Sequence, residues 1–362
     1  MENRVEQREA NERPFRLGML WRKVALASLA ATAMVGTVLS GSDLRAQSGE
    51  LVLYCSVDEE WCRVMSETFK RETGINVLMT RRSSGETYAQ IKAEIGQPRG
   101  DVWWGGTGDP HLQAAQEGLT TEYRSPQLGQ LHDWAVRQAA TSGYKTVGIY
   151  AGGLGYGYNA NLVKEPLPGC WADLLDERFK DDIQVANPNS SGTAYTMLAT
   201  FVQLFGEEEA FEFMAKLHQN ISQYTKSGSA PIRAAATGES AVGIVFMHDA
   251  VAQAIKGGPI VTVAPCEGTG YEVGSMSIIA GGPNPDNAKI WYDWALSAPA
   301  QELGAQANSF QVPSNVGAAT PPQAPKLADI KLIDYDFAKY GSSEERTRLL
   351  ARWDKEIGAL LK

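Results

Sequence analysis

The sequence predicts an α/β protein of two lobes, each a mixed, mostly parallel sheet flanked by helices, joined by a two-strand hinge. Three observations carry this. Short apolar runs alternate with helical stretches through most of the chain, the order that builds parallel sheets covered by helices. A Gly-rich, β-like stretch, TVGIYAGGLGYGY (146–158), interrupts that alternation and is long enough to pass between two bodies. A second β-like run, GTGYEVGSMSIIAGG, returns near residues 268–282 after a second αβ series. The length, 362 residues, suits two domains.

Residues 1–46 stand apart. Val24 to Leu39 form one uncharged apolar run preceded by Arg22 and Lys23 and followed by small residues up to Ala46. Sixteen residues are short for a membrane span. The basic–apolar–small order reads as a secretory signal cut after Ala46, with an uncleaved N-terminal anchor as the alternative. The segment before Arg22 is long and mixed in charge, so Met19 is a second candidate start.

In order, LVLYC (51–55) is the first strand and SVDEEW opens a helix that runs to Thr73. GINVLM (74–79) is the second strand, and RRSSGE leads into a helix over TYAQIKAEIG. DVWW (101–104) is the third strand, ending in GGTGDP before the helix HLQAAQEG. After the first crossing, DIQVANP (182–188) starts the second series. Helices follow over 193–205 and 207–219, and another begins near Pro231, a residue favoured in the first helical turn. AVGIVF (241–246) is a buried strand, HDAVAQAIKGG a short helix and IVTVAP a further strand. Residues 285–304 and 341–362 read as amphipathic helices. The lobes are then expected to hold 47–147 with 275–362, and 148–274, and the crossings near 146–158 and 262–278 are expected to carry a hinge motion.

Hydrophobic residues are 43% and charged residues 21% of the chain, which excludes a disordered chain, a coiled coil and a multispan membrane protein. Lys plus Arg is 33 against 42 Asp plus Glu, a formal net charge of −9. That surface has no basic footprint for nucleic acid. Export would place Cys55, Cys62, Cys170 and Cys266 where disulfides persist. Four cysteines allow three connectivities; 55–62, flanking a turn into a helix, with 170–266 is favoured, against four buried thiols.

Ligands of such sheets bind beyond the carboxyl ends of the strands. Ser56 and Asp58 follow the first strand, and Ser83, Ser84, Gly85 and Glu86 the second, where Ser83 and Glu86 have capping-box spacing. Trp104, Gly105, Gly106 and Thr107 follow the third; alternation makes one of Trp103 and Trp104 a core residue and the other a cleft residue. In the second series, Ser190, Ser191, Gly192 and Thr193 follow one strand segment, while Ser227, Gly228 and Ser229 precede a helix. Each loop sets hydroxyls and small residues beside free N–H groups at a helix start, an anion site that needs no cation. Any one of these loops is also an ordinary helix cap. A phosphate is expected on Ser84, Gly85, Ser191, Gly192, Thr193 and Ser227, with Arg82 turned inward or solvated. His248 and Asp249 follow AVGIVF directly, where Asp249 also reads as an N-cap, and Glu272 sits in GTGYEVGS.

The stretches RRSSGE, NPNSSGTAYT, QYTKSGSAP, GIVFMHDA and PCEGTGYEVGS resemble the periplasmic solute-binding proteins of ABC importers. The type is the bilobal type II class, in the ferric-binding-like branch that includes AfuA-type hexose-phosphate binders. The resemblance covers about Leu51 to Leu303. It implies that His248, Asp249 and Glu272 hold sugar hydroxyls, and that a small anionic solute, a sugar phosphate, is delivered to a membrane permease by a periplasmic, monomeric protein without a cofactor. Iron binders of this branch present two adjacent tyrosines; this chain has no Tyr-Tyr pair, and Tyr156 and Tyr158 share one strand face while Tyr224 stands alone. Ferric iron is the first alternative. The second is a secreted hydrolase using His248 with Asp249 or Glu272, although no G-x-S-x-G, H-E-x-x-H, Cys₂His₂ or P-loop pattern is present.

Overall fold

A computed structural model describes residues 49–360. The signal segment and its cleavage position lie outside the described residues. Among the described residues no helix is long and apolar enough to cross a membrane.

The first αβ series forms β1 (Glu50–Cys55), α1 (Glu59–Thr73), β2 (Asn76–Arg81), α2 (Ser84–Ala93), β3 (Val102–Trp104), α3 (Gly108–Gln116) and the short β4 (Thr120–Thr121). Then α4 (Asp133–Thr141) leads into the long β5 (Val147–Asn159). The second series is β6 (Ile183–Ala186), α5 (Gly192–Phe205), α6 (Glu207–His218), β7 (Ile221–Thr225), α7 (Ala230–Thr237), β8 (Val242–Phe246), α8 (Met247–Ile255) and β9 (Ile260–Val263). The chain returns through β10 (Tyr271–Ile279) to α9 (Pro285–Ala295), α10 (Ala298–Gln306), β11 (Val312–Pro313), α11 (Phe337–Tyr340) and α12 (Ser343–Glu356).

The strands run in the order β2-β1-β3-β10-β5-β8-β6-β7. β2, β1 and β3 are mutually parallel, as are β7, β6 and β8. Between these blocks β10 and β5 lie antiparallel to each other, Tyr271 opposite Gly153. β5 passes from one core into the other. Val147, Ile149 and Tyr150 pack with Leu53, Trp61, Phe69 and Trp291, whereas Leu154, Tyr156 and Tyr158 pack with Trp171, Phe201 and Phe211. β5 and β10 are thus the two crossings, and the fold is a mixed α/β architecture of two lobes.

Three sequence expectations change. The helix expected over 285–304 is two helices, because Ser297 caps a new start, its Oγ accepting from Ala300 N at 3.4 Å, with Pro299 in the first turn. A strand, β7, occupies Ile221–Thr225, where only a connection was expected. The C-terminal helix, assigned by chain order to the first lobe, touches both lobes: Ser343 N donates to Gln116 Oε1 of α3 at 2.8 Å, while Leu349, Trp353 and Ile357 share a core with Phe211 and Met214. Arg348 and Arg352 on its outer side pair with Glu207 and Glu208 of α6 at 2.7–2.8 Å. The stripe at 346, 349 and 353 has helical spacing, and nothing in the spacing itself says which lobe receives it.

Both favoured disulfides are present, Cys55–Cys62 and Cys170–Cys266. The first ties the end of β1 to the first turn of α1, beside the cleft. The second closes 96 residues of the second lobe.

Candidate functional site

Five helix N-termini converge on one cleft between the lobes. The starts of α2 and α3 supply Ser83, Ser84, Gly106 and Thr107; those of α5, α7 and α8 supply Ser191, Gly192, Thr193, Gly228, Ser229, His248 and Asp249. The cleft encloses about 490 Å³ of space between atoms, part of it open to solvent. The hydroxyls of Thr107, Ser191 and Ser229 do not cap their own helices, and Thr107 Oγ1 is buried without a partner. Free N–H groups, the unpartnered Thr107 hydroxyl and the positive ends of helix dipoles together favour an anion.

The lobes touch around this cluster. Gly85 N donates to Ser190 O across the cleft at 3.0 Å. Ser229 Oγ donates to Asp58 Oδ1 at 2.9 Å, and Arg233 lies 3.6 Å from the same oxygen. Gly192 fits against Thr107 so closely that a Cβ there would overlap the threonine Oγ1, Cβ and Cγ2.

Arg81 is the cation at the cleft. Its Nε donates to Val57 O at 3.0 Å and its Nη2 to Ser227 Oγ at 3.3 Å. Arg82, the residue the sequence singled out, is exposed. The pairing of Cys55 with Arg81 ends β2 one residue earlier and sends Arg82 to the outside.

The other end of the cleft is acidic. His248 Nε2 lies 3.7 Å from Asp249 Oδ1 and 3.8 Å from Glu272 Oε1, close but outside hydrogen-bond range. His248 stacks on Phe246, with ring centroids 5.6 Å apart, and its Nδ1 has no partner. Burial lowers the imidazole to about 4, against a small opposing pull from Asp58, so it is neutral at physiological pH. Burial holds Asp249 well above the ordinary carboxyl range, and Asp58 adds to this while Arg233, Arg81 and Lys256 oppose it. Burial does the same to Glu272, reinforced by Asp249 and Asp109. Between the two ends stands Tyr150, whose hydroxyl accepts from Gly106 N at 3.0 Å and keeps its own proton to donate.

These shifts fix the sign of a pH dependence. Carboxyls raised above their unfolded values contribute stability that is whole below the ordinary carboxyl range and is lost as pH rises through the raised values. The protein should therefore lose thermal stability as pH rises from about 4.5 upward. The double variant Asp249→Asn, Glu272→Gln should gain on the parent as pH rises, measured as the difference in melting temperature. A difference that does not change with pH would contradict the buried acidic end.

Of the twelve ligand-site candidates from the sequence, eight line the cleft: Ser56, Ser84, Ser191, Gly192, Thr193, His248, Asp249 and Glu272. Four do not. Gly85 is spent on the contact with Ser190. Trp104 is a core residue edge-on to Trp61 at 5.0 Å, and Trp103 is buried as well, because β3 is covered on both faces. Gly105 turns its N–H to Ser275 O and its carbonyl to His111. Ser227 receives Arg81 beside the cleft, and its neighbours Gly228 and Ser229 line it instead. Sequence reasoning missed Arg81, Tyr150, Phe246, Ser309 and Gln311. The tyrosines weighed for iron point elsewhere: Tyr156 donates to Cys170 O, and Tyr224 meets His218 Nδ1.

Residues 107–340 match the family of bacterial extracellular solute-binding proteins. The chain belongs to this family. Over 344 residues this solute-binding protein is 43% identical to an uncharacterised protein of Haemophilus influenzae, covering 94% of this chain and 99% of the other. Its structure is similar to that of the periplasmic binding protein AfuA from Actinobacillus pleuropneumoniae with fructose-6-phosphate bound, at 46% identity and a TM-score of 0.83, over 86% of this chain and 99% of that one. The periplasmic binding protein P5PA is similar at 39% identity and a TM-score of 0.82, over 85% and 99%. Iron-bound HitA from Pseudomonas aeruginosa, at 19% identity and a TM-score of 0.71 over 84% and 98%, shares the fold. The solute-binding protein therefore has the type II periplasmic binding fold, in the ferric-binding-like branch that includes AfuA-type binders.

Proposed function

We propose that this solute-binding protein captures a small phosphorylated, hydroxylated solute, a sugar phosphate, in the periplasm and delivers it as a monomer to the membrane permease of an ABC importer. The observation that carries the reading is the two-ended cleft. The phosphate is assigned to the helix starts of Ser84, Thr107, Ser191, Gly192 and Thr193 and to Arg81. The sugar hydroxyls are assigned to Asp249, Glu272 and His248. Carboxyl groups both accept from and, when protonated, donate to hydroxyls, whereas ionised they would repel a phosphate, so the solute binds in one orientation. The 46%-identical protein that carries fructose-6-phosphate supports the ligand class.

The test is a thermal-shift and calorimetric screen of hexose phosphates, phosphonates, inorganic phosphate and ferric iron, with small-angle scattering at saturation. A ligand at about 100-fold over its dissociation constant adds about 2.7 kcal/mol to the folded state. The expected result is stabilisation by a sugar phosphate, with compaction as β5 and β10 flex. Tight binding of iron alone would return the reading to the iron-carrying branch, and release of inorganic phosphate from fructose 6-phosphate would make the protein an enzyme. Export is checked separately: N-terminal sequencing of the mature protein should begin near Gln47, and retention of residues 24–39 would contradict a cleaved signal.

One observation favours a second ligand type. Among the described residues the basic side chain that approaches Asp249 and Glu272 within 4 Å is His248, which is neutral. An ammonium on the solute would pair with both carboxylates. An aminophosphonate that binds more tightly as pH rises, where glucose 6-phosphate does not, would favour this reading.

A further inference from the structure

His111 takes no part in the site described so far, yet it is fully buried beneath it, on α3. Its Nε2 lies 3.1 Å from Gly105 O and its Nδ1 lies 2.8 Å from Ser277 Oγ. Its ring stacks on Trp103, centroids 3.6 Å apart and planes within 20°. A carbonyl only accepts, so Nε2 carries the proton; Nδ1 of the neutral ring then accepts from the Ser277 hydroxyl. Burial drives the ring down to about 3, which keeps it in that neutral state.

Two of the three partners of His111, Gly105 and Trp103, lead to the cleft. Gly105 and Gly106 are consecutive residues in the left-handed region, with φ of 80° and 85°. Glycine reaches that region without steric cost, so the turn is set by the groups that hold its polar atoms. His111 fixes the Gly105 carbonyl, Ser275 O fixes the Gly105 N–H at 2.8 Å, and the Tyr150 hydroxyl fixes the Gly106 N–H. The next residue is Thr107, with its unpartnered hydroxyl at the start of α3. On the stacked side, Trp103 Nε1 donates to Ser56 Oγ at 2.9 Å, and Thr87 Oγ1 lies 3.0 Å from the same oxygen. When Thr87 donates as well, Ser56 accepts twice and its own proton is left for the cleft.

We propose that His111, locked as the Nε2–H tautomer, is a positioning residue for solute binding: it sets the Gly105–Thr107 turn and, through its stack on Trp103, the direction of the Ser56 hydroxyl. This rests on the reading of the cleft as a phosphorylated-solute site. Of the ring's three tethers, only the hydrogen bond to Gly105 reaches the ligand loop directly.

Three variants separate that bond from general packing, with fructose 6-phosphate as the probe. His111→Phe keeps a ring against Trp103 but cannot donate, and should weaken binding about ten-fold or more. His111→Gln restores an N–H near the Nε2 position and should bind within about three-fold of the parent, the rescue a merely space-filling role would not give. Leu119→Ala removes packing from the same buried cluster as Trp103 and should lower the melting temperature with affinity unchanged. Equal affinity of the Phe variant and the parent would overturn the proposal, as would a loss in Leu119→Ala matching that in His111→Phe. Nitrogen NMR of the parent tests it without mutation, should the Phe variant fail to fold: the His111 proton must be on Nε2, and a proton on Nδ1 overturns the assignment. A parent that does not bind fructose 6-phosphate at all overturns the functional reading and this inference together; a parent that binds while His111→Phe binds equally overturns this inference alone.

Discussion

Gly192→Ala is expected to cut the affinity for fructose 6-phosphate by about ten- to a hundred-fold. Gly192 is the first residue of α5, with an ordinary helical backbone, so alanine costs nothing locally and is the better helix former. The cost arises only where the lobes meet. A Cβ would overlap Thr107 Oγ1, and rotating the hydroxyl away does not help, because the threonine Cβ and Cγ2 are each 2.9 Å from the same point. The lobes must stay apart by a few tenths of an ångström or more, and overpacking of this kind costs about 1–3 kcal/mol. All of it falls on the closed form, hence on binding. Calorimetry with the parent and the variant checks this. Equal affinities would mean that closure does not bring Gly192 against Thr107 when solute is bound.

The same two residues illustrate what the sequence made legible. Gly192 and Thr107 both follow strand segments and open helices, and that pattern marked both before any coordinates. It marked equally well Gly85 and Gly105, whose backbone groups serve contacts within the protein. A Ser-Gly loop at a helix start shows where N–H groups are free, but which of them face the cavity depends on a rotation about the helix axis that spacing does not record. His248, Asp249 and Glu272 were legible through the resemblance carried by GIVFMHDA and PCEGTGYEVGS; their places along the strands alone also suit an N-cap and a solvated glutamate.

Other features left no such trace. Arg81 is the last residue of β2 and reads like the start of a solvated loop; only its register against Cys55 turns it inward. Tyr150 is one of thirteen buried residues in β5, indistinguishable in sequence from a core tyrosine. Ser309 and Gln311 come from the irregular segment after α10. β7 escaped notice because it is an edge strand, with Ser222 and Gln223 exposed, so its apolar alternation is broken. That α12 reaches the second lobe as well as the first is a tertiary fact, made by the Trp353 contact with Tyr224, 5.5 Å between centroids, and by the arginines facing α6.

Asp249→Ala and Glu272→Ala should each weaken fructose 6-phosphate by about ten- to a hundred-fold and leave inorganic phosphate little changed, whereas Arg81→Gln should weaken both. The asymmetry follows from the two ends of the cleft. Losing one charged hydrogen-bonding partner costs about 1.5–3 kcal/mol. At the acidic end that partner serves the sugar hydroxyls, which inorganic phosphate lacks. Removing Asp249 also relieves Glu272, whose carboxyl it helps to hold up, so the two losses should be less than additive when combined. Arg81 acts at the other end, and its guanidinium suits phosphate oxygens. Arg81→Gln keeps a donor of similar reach but gives up the charge, so its loss should shrink as salt is raised. Competition calorimetry with both probes at two ionic strengths reads all of this. If the carboxylate variants lose inorganic phosphate as strongly as the sugar phosphate, the solute lies the other way round in the cleft. If Arg81→Gln leaves both affinities intact, the anion is held by helix N-termini and hydroxyls alone, and Arg81 serves only to fasten Val57 to Ser227 across the lobes.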